Sequence, residues 1–381
     1  MRLRSGFLLV FLVGFSLSSL SAAQTLELGA VLPLSGASAS SGRAAAAALQ
    51  EVTRRLLGSG IVLELTILDS KSRPDEAAAR TRTLVAAGVH ALLCCENAGT
   101  AARVGPITEA AGVPTLLLSP ATPDGAFWLF ALLGGDDEVL RKLTGITGPS
   151  APMTPVVLMA PAGLAGHRAT SALRAVSVES VRYSDRRTPL TPEALLAATL
   201  EPRGVVVWDD DAGTVRAADA LSARGFEGTK IVRAEVWTEL GALARARLTG
   251  AVSVVSPAVL GYTLPDAHPS KQELTRLRRA LSDLPSLSDE AATVGAGAWD
   301  AGLLLGAAAE QVLTYTLLGD PDDPSSWRGA LRDALVGLGP VTGAGGSYDY
   351  SDRQGGLETG LLADSLVLAR WRGGRFRPFR Y

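Results

Sequence analysis

Short apolar runs alternate with polar, glycine-rich stretches along this chain, and the first such unit sets the pattern. Leu26, Leu28, Ala30, Val31, Leu32 and Leu34 make a run of buried-strand length. Residues 44–52 follow as an alanine-rich segment with apolar positions at helical spacing. Between them, Pro33-Leu34-Ser35-Gly36 and the Ser/Ala run to Gly42 supply turn and helix-capping chemistry. In an open α/β sheet such a loop lies at the carboxyl end of a strand, where free N–H groups and hydroxyls make a natural anion site; a plain βα turn fits the same residues.

The alternation repeats. Residues 61–69, 89–95 and 113–118 read as strands, and 73–87 and 101–111 as the helices between them. It restarts at 155–160, followed by a helix over 164–176, further strands at 178–183, 204–208, 230–234 and 251–256, and a helix at 212–224. Three long helical stretches then occupy 270–284, 288–318 and 326–336, and β-structure closes the chain over 339–350 and 362–372. Strands and helices at this interval predict an α/β protein with parallel sheets covered on both faces, and the restart predicts two similar lobes.

Composition narrows the function. With 381 residues the chain is long enough for two cores; 47% apolar and 19% charged residues indicate a globular protein. A net charge of -2 gives no basic surface for nucleic acid, so a small-molecule partner is expected. The cluster Arg370–Arg380 is a short basic end on a last strand, expected to be solvated.

Residues 1–23 join Arg2 and Arg4 to the apolar run FLLVFLVGFSLSSL and a Ser-Ala-Ala end, the form of a cleavable secretory signal peptide. No lipid-anchoring cysteine follows it, and no later run is apolar enough to span a membrane, so the mature chain is expected to be periplasmic or secreted.

Candidate chemistry is sparse. GxSxG, HExxH and GxxxxGK[ST] are absent, and His90, His167 and His268 are scattered, so no enzyme activity and no cofactor are expected. Asp209-Asp210-Asp211 could ligate a divalent cation, but consecutive side chains diverge and a helix cap is the better account. Cys94 and Cys95 are adjacent and close no loop of chain, so the expectation is two small buried residues at a strand end rather than a disulfide.

Taken together, GAVLPLSG, ITEAAGVPTLLLSPAT, FEGTKIV, AWDAGLLLGAAAEQ, GPVTGAGGSYDY and ARWRGGRFRPF, in that order, resemble the periplasmic substrate-binding proteins of ABC transporters, of the branched-chain amino-acid type. The resemblance implies two Rossmann-like lobes joined by three crossovers and closing on a ligand: residues 24–132 and 264–340 in lobe I, 133–263 and 341–381 in lobe II. It implies a small-molecule ligand and a membrane permease as partners. A receptor of the same fold that signals to a regulator is the alternative.

Site residues follow from the same resemblance. Ser119, Ala121 and Thr122 of SPAT match a loop that binds the ligand carboxylate, with the Thr122 hydroxyl as donor and an ST-turn or helix cap for the following segment as the alternative. The companion loop falls on Asn97, Ala98, Gly99 and Thr100; it has Ala98 where the family has serine, so Asn97, Thr100 or backbone amides must supply the donor. Glu235 matches the acid that pairs an ammonium group, with an ion pair to Arg233 as the alternative. Ala165 stands where the family carries a tyrosine over the ligand; His167 or Trp208 could fill that space, though His167 also suits a solvated helix start. Ser41 and Gly42 are placed at the cleft mouth, and the small residues there imply a roomier or more polar pocket. Trp299 and Asp300 are read as mainly structural, with Trp299 between helix and sheet. The ligand stays open between a branched-chain amino acid, another amino acid, an amide and a small carboxylate.

Overall fold

Strand β1 (Thr25–Leu32) lies at the heart of a parallel sheet because six of its eight residues are buried and its neighbours are equally apolar. The computed structural model describes residues 25–57, 62–120, 126–147, 153–174, 178–183, 190–285, 287–315, 323–351 and 360–379. The signal peptide expected at 1–23 lies outside them.

Around β1 run β2 (Val62–Asp69), β3 (Ala91–Cys94), β4 (Thr115–Leu117) and β5 (Leu129–Ala131), in the order β2-β1-β3-β4-β5. The helices α1 (Ala39–Leu56), α2 (Pro74–Ala86) and α3 (Ala98–Ala111) connect the first four strands. β5 was not expected, although it lies within the apolar run 126–133, AFWLFALL.

After α4 (Asp136–Thr147) a second sheet begins. Its strands are β6 (Val156–Pro161), β7 (Glu179–Tyr183), β8 (Gly204–Val207), β9 (Thr229–Val232), β10 (Val252–Val255), β13 (Val367–Arg372) and β14 (Arg375–Pro378), ordered β14-β13-β10-β9-β8-β6-β7. β13 and β14 run antiparallel at one edge. The helices α5 (Leu164–Arg174), α6 (Thr191–Thr199) and α7 (Asp211–Ala223) alternate with the parallel strands. The arginine-rich end is more than a solvated tail: Trp371 and Phe376 are buried and pack with Trp237 at ring distances of 4.6 and 5.5 Å, while Arg372 and Arg375 point outward.

The helices α8 (Val236–Glu239), α9 (Ala242–Arg247) and α10 (Pro257–Leu260) are short. α11 (Lys271–Ala280), α12 (Asp289–Thr314) and α13 (Pro324–Gly337) belong to the first sheet's layers, with α12 packed along α1. A Cβ on Gly302 would sit 2.2 Å from Val52, so the glycine permits this close helix approach. Trp299 packs among helices, its indole N–H donating to Glu273 of α11 at 3.1 Å and Arg55 of α1 lying over its ring. No helix among the described residues is long and apolar enough to cross a membrane.

The chain passes between the sheets three times: from β5 into α4, from β10 towards α11, and from α13 through the small hairpin β11 (Val341–Thr342) and β12 (Ser347–Tyr348) to β13. The architecture is the expected α/β one, with two parallel-sheet lobes.

Candidate functional site

The candidate site is built at the carboxyl ends of the strands, beginning with the loop after β1. A Cβ on Gly42 would fall 2.1 Å from the Pro33 carbonyl oxygen, so α1 can start this near the strand end only with glycine there. Three N–H groups of this loop, those of Leu34, Ser35 and Ser38, are already taken by side chains. Asp69 accepts from Leu34 N (2.9 Å), Ser35 N (3.2 Å) and the Ser35 hydroxyl (2.6 Å), and Ser72 Oγ accepts from Ser38 N (3.0 Å). Burial opposes ionisation of Asp69, but the Ser35 hydroxyl and these N–H donors, with Lys71 N, hold its carboxyl below the usual range. Only Ser41, buried on α1, reaches a different group, donating to Glu290 Oε1 at 3.5 Å.

The loop after β3 differs from expectation at its first residues. Cys94 and Cys95 are buried, as anticipated, but they are joined in a disulfide. The loop-entropy argument shows that such a bond adds little to stability; it does not decide whether two adjacent sulfurs bond. Asn97, proposed as a replacement ligand donor, caps α3: its Oδ1 accepts from Thr100 N at 2.9 Å and its Nδ2 donates to Glu96 at 3.2 Å. Ala98 and Gly99 are exposed in the first turn of α3.

Thr100 and Ser119 carry the most telling atoms. Both residues are almost completely buried, Thr100 in that first turn and Ser119 just past β4, and among the described residues neither hydroxyl has a hydrogen-bond partner. A buried hydroxyl without a partner costs about 1–3 kcal/mol, and these two stand at neighbouring strand ends; Ser70, Thr81 and Ser270 carry further such hydroxyls. Glu96 Oε2 is likewise buried and unpartnered; burial first, then the charge of Glu290, push this carboxyl up despite its own backbone N–H. Nothing in the sequence patterning marked Glu96, because its environment is made by α12. Ala121 and Thr122 lie outside the described residues.

The second lobe repeats the device of the first. A Cβ on Gly166 would lie 2.0 Å from Pro161 O, the counterpart of Gly42 against Pro33. Ala165 sits beside it in α5, and His167 is exposed there, as expected for a solvated helix start. Trp208 follows β8, is buried, and has an unpartnered indole N–H; the Arg233 guanidinium lies 5.2 Å over its ring.

Arg233 also bonds Asp136 at the start of α4 (2.8 Å) and lies 3.6 Å from Glu235. Glu235 is therefore an exposed acid beside an arginine, the alternative raised for it from the sequence. Asp210 caps α7 by accepting from Gly213 N at 2.8 Å, and Asp209 turns inward to accept from the Tyr183 hydroxyl at 2.5 Å. This is the helix cap the three consecutive acids suggested.

Asp300 holds the third of the passages between the sheets. Fully buried in α12, it accepts from Ala344 N (2.6 Å), Gly345 N (2.8 Å) and the Tyr348 hydroxyl (2.8 Å) of the β11–β12 hairpin. Burial pushes its carboxyl up to about 7, against the pull of those donors. Ser256 donates to Gly345 O (2.9 Å) and Tyr350 to Ala131 O (2.9 Å), so all three passages are tied together. Asp300 thus ties α12 to the third passage as well as being a core residue.

Comparison with known proteins agrees with this architecture. A family model described as periplasmic binding protein matches residues 25–375. No curated protein matches the chain. Among solved structures, an extracellular ligand-binding receptor from Rhodopseudomonas palustris HaA2 is similar at 17% identity and TM-score 0.63, covering 93% of this chain and 100% of its own. An ABC transporter substrate-binding protein from Desulfitobacterium hafniense, in complex with Leu, is similar at 20% identity and TM-score 0.65, with coverage of 93% and 100%. A leucine binding protein from Thermotoga maritima is similar at 15% identity and TM-score 0.58, with coverage of 93% and 98%. At these identities the solved structures establish the fold.

Proposed function

The chain belongs to the periplasmic binding protein family, and from that premise we propose that it captures an amino acid, or a related small carboxylate or amide, between its lobes and delivers it to an ABC transporter permease. Members of the family are binding proteins that act outside the cytoplasm; the export signal at 1–23, the permease and the ligand class are the proposed parts. Lobe boundaries near 132, 264 and 340 are proposed with them, supported by the sheet to which each strand belongs.

The unpartnered hydroxyls of Thr100 and Ser119 carry this reading. They stand ready to donate to a ligand carboxylate, together with the loop of Ala121 and Thr122, while the Trp208 N–H is a free donor in the second lobe. Ser41, Asn97, Ala98 and Gly99 are proposed to shape the walls, with Ala165 at the corresponding position of α5. An ammonium group has two candidate acids: Glu235 in lobe II and Glu96 in lobe I. Ligand that touches both lobes only when they are closed shifts the population to the closed form, which a permease can recognise.

A thermal-shift screen of the purified protein against amino acids, amides and small carboxylates tests the proposal, since a ligand of the folded state raises the melting temperature. A response to none of these compounds refutes the ligand class. Thr100→Val replaces the unpartnered hydroxyl with a methyl group; it should leave the unliganded melting temperature unchanged or higher and abolish the ligand shift. A lower unliganded melting temperature with an unchanged shift would remove Thr100 from the site.

A further inference from the structure

The bonded cysteines sit where β3 becomes the first ligand loop. Cys94 is the last residue of β3, and its carbonyl accepts from Leu118 N at 2.7 Å, next to Ser119. Cys95 has a φ of +73°, a left-handed conformation disfavoured for any residue with a Cβ. Asn97 and Thr100, which organise the start of α3, follow directly. Both sulfurs are sealed in an apolar cluster with Val31, Leu92, Ala101, Val104 and Leu117. A bond between chain neighbours constrains no long loop, so its effect is local: it fixes how the backbone leaves the strand.

We propose that the Cys94–Cys95 disulfide is a redox-sensitive lock on the first ligand loop, holding Cys95 in the turn that places Glu96 to Thr100 for ligand. The identity of that loop as a ligand loop rests on the proposed function; the lock itself does not depend on which ligand binds. A dithiol reductant opens it. One reductant thiolate attacks a cysteine sulfur, the S–S bond breaks, and a mixed disulfide forms; the second reductant thiol then displaces the protein sulfur. The protein gains two thiol hydrogens and two electrons, and the reductant leaves as a cyclic disulfide. Freed from the ring, Cys95 can leave the left-handed region, and the loop loses its set path. Because the sulfurs are buried, attack requires a local opening, so reduction is slow in the folded protein.

Hydrogen exchange on the purified protein, with and without dithiothreitol, tests the lock, alongside a thiol count in denaturant. The informative amides are those the turn organises: Thr100, bonded to Asn97 Oδ1, Ala101, bonded to Asn97 O, and Leu118, bonded to Cys94 O. The expected result is no free thiol before reduction, two after it, and exchange about tenfold faster at these three amides with β1 and β6 unchanged. The variant Cys94→Ser with Cys95→Ser should show the fast pattern without reductant and no response to it. Two free thiols in the untreated protein, a disulfide that dithiothreitol never reduces in the folded state, unchanged exchange on reduction, or acceleration spread through both lobes would each overturn the proposal. The exchange readout needs no ligand, so a failed ligand screen leaves this result interpretable, and a failed lock leaves the receptor function standing.

Discussion

Asp300 offers a quantitative test of how the third passage between the sheets is held. Its carboxyl is raised from an ordinary 3.8 to about 7 because burial penalises the charge more than Gly345 N, Ala344 N and the Tyr348 hydroxyl favour it. A raised folded-state value means that the native protein holds this proton more tightly than the unfolded chain does. The stabilisation is therefore complete below about pH 4 and is lost as pH rises towards 7. At about 1.4 kcal/mol for each tenfold difference in proton affinity, the span from 3.8 to about 7 corresponds to roughly 4 kcal/mol as an upper figure. Asp300→Asn removes the titration while keeping the side-chain shape, at the expense of setting an amide NH2 against one of the backbone donors.

Urea unfolding of both proteins from pH 4 to pH 8 isolates the effect, because every other titrating group is shared and cancels in the difference. The stability of the wild type relative to Asp300→Asn should fall by up to about 4 kcal/mol across that range and level off above pH 7, whatever constant offset the substitution brings. Parallel stability curves would refute the assignment of a proton to this buried carboxyl.

Further outcomes follow from other contacts. Gly42→Ala places a Cβ 2.1 Å from Pro33 O and should destabilise lobe I by about 1–3 kcal/mol or more in urea melts, and Gly166→Ala should do the same in lobe II; a neutral result at either would show that the helix can retreat from its strand end. His90, whose Nδ1 accepts from Glu27 N, is lowered to about 4 by burial and then by the Arg328 charge. Its contribution is complete above about pH 6.5 and lost as pH falls towards 4, the opposite sense to Asp300, so His90→Gln should flatten the acid limb of the wild-type curve. If the ligand is an amino acid, Glu235→Ala should abolish its thermal shift; a shift that survives Glu235→Ala and is lost in Glu96→Gln would move the ammonium partner to lobe I.

Much of the fold is legible along the chain because it depends on local patterning. Buried parallel strands need continuous apolar runs and their helices need a 3.6-residue apolar stripe, so the strands at 62–69, 204–207 and 252–255 and the helices at 74–86 and 211–223 fall within a residue or two of where periodicity puts them. Asp210 as a helix cap is equally local, since the cap and the N–H it accepts from are three residues apart.

The tertiary structure decided whatever depends on residues distant in sequence. Asp300 meets Ala344, Gly345 and Tyr348 across 44 to 48 positions, and only tertiary packing turns a helix acid into a buried tie to the third passage with a raised proton affinity. Arg233 reaches Asp136 across 97 positions while lying beside Glu235, so the partner of that acid could not be chosen from its neighbours alone. The opening loop shows the same division. Its turn and helix start were written in Pro33 to Gly42, but the engagement of Leu34 N, Ser35 N and Ser38 N was settled by Asp69 and Ser72, which another strand's end brings against it. Local propensity chooses elements because each residue carries its own backbone preference; donors, acceptors and charges acquire their roles only from the groups that packing places around them.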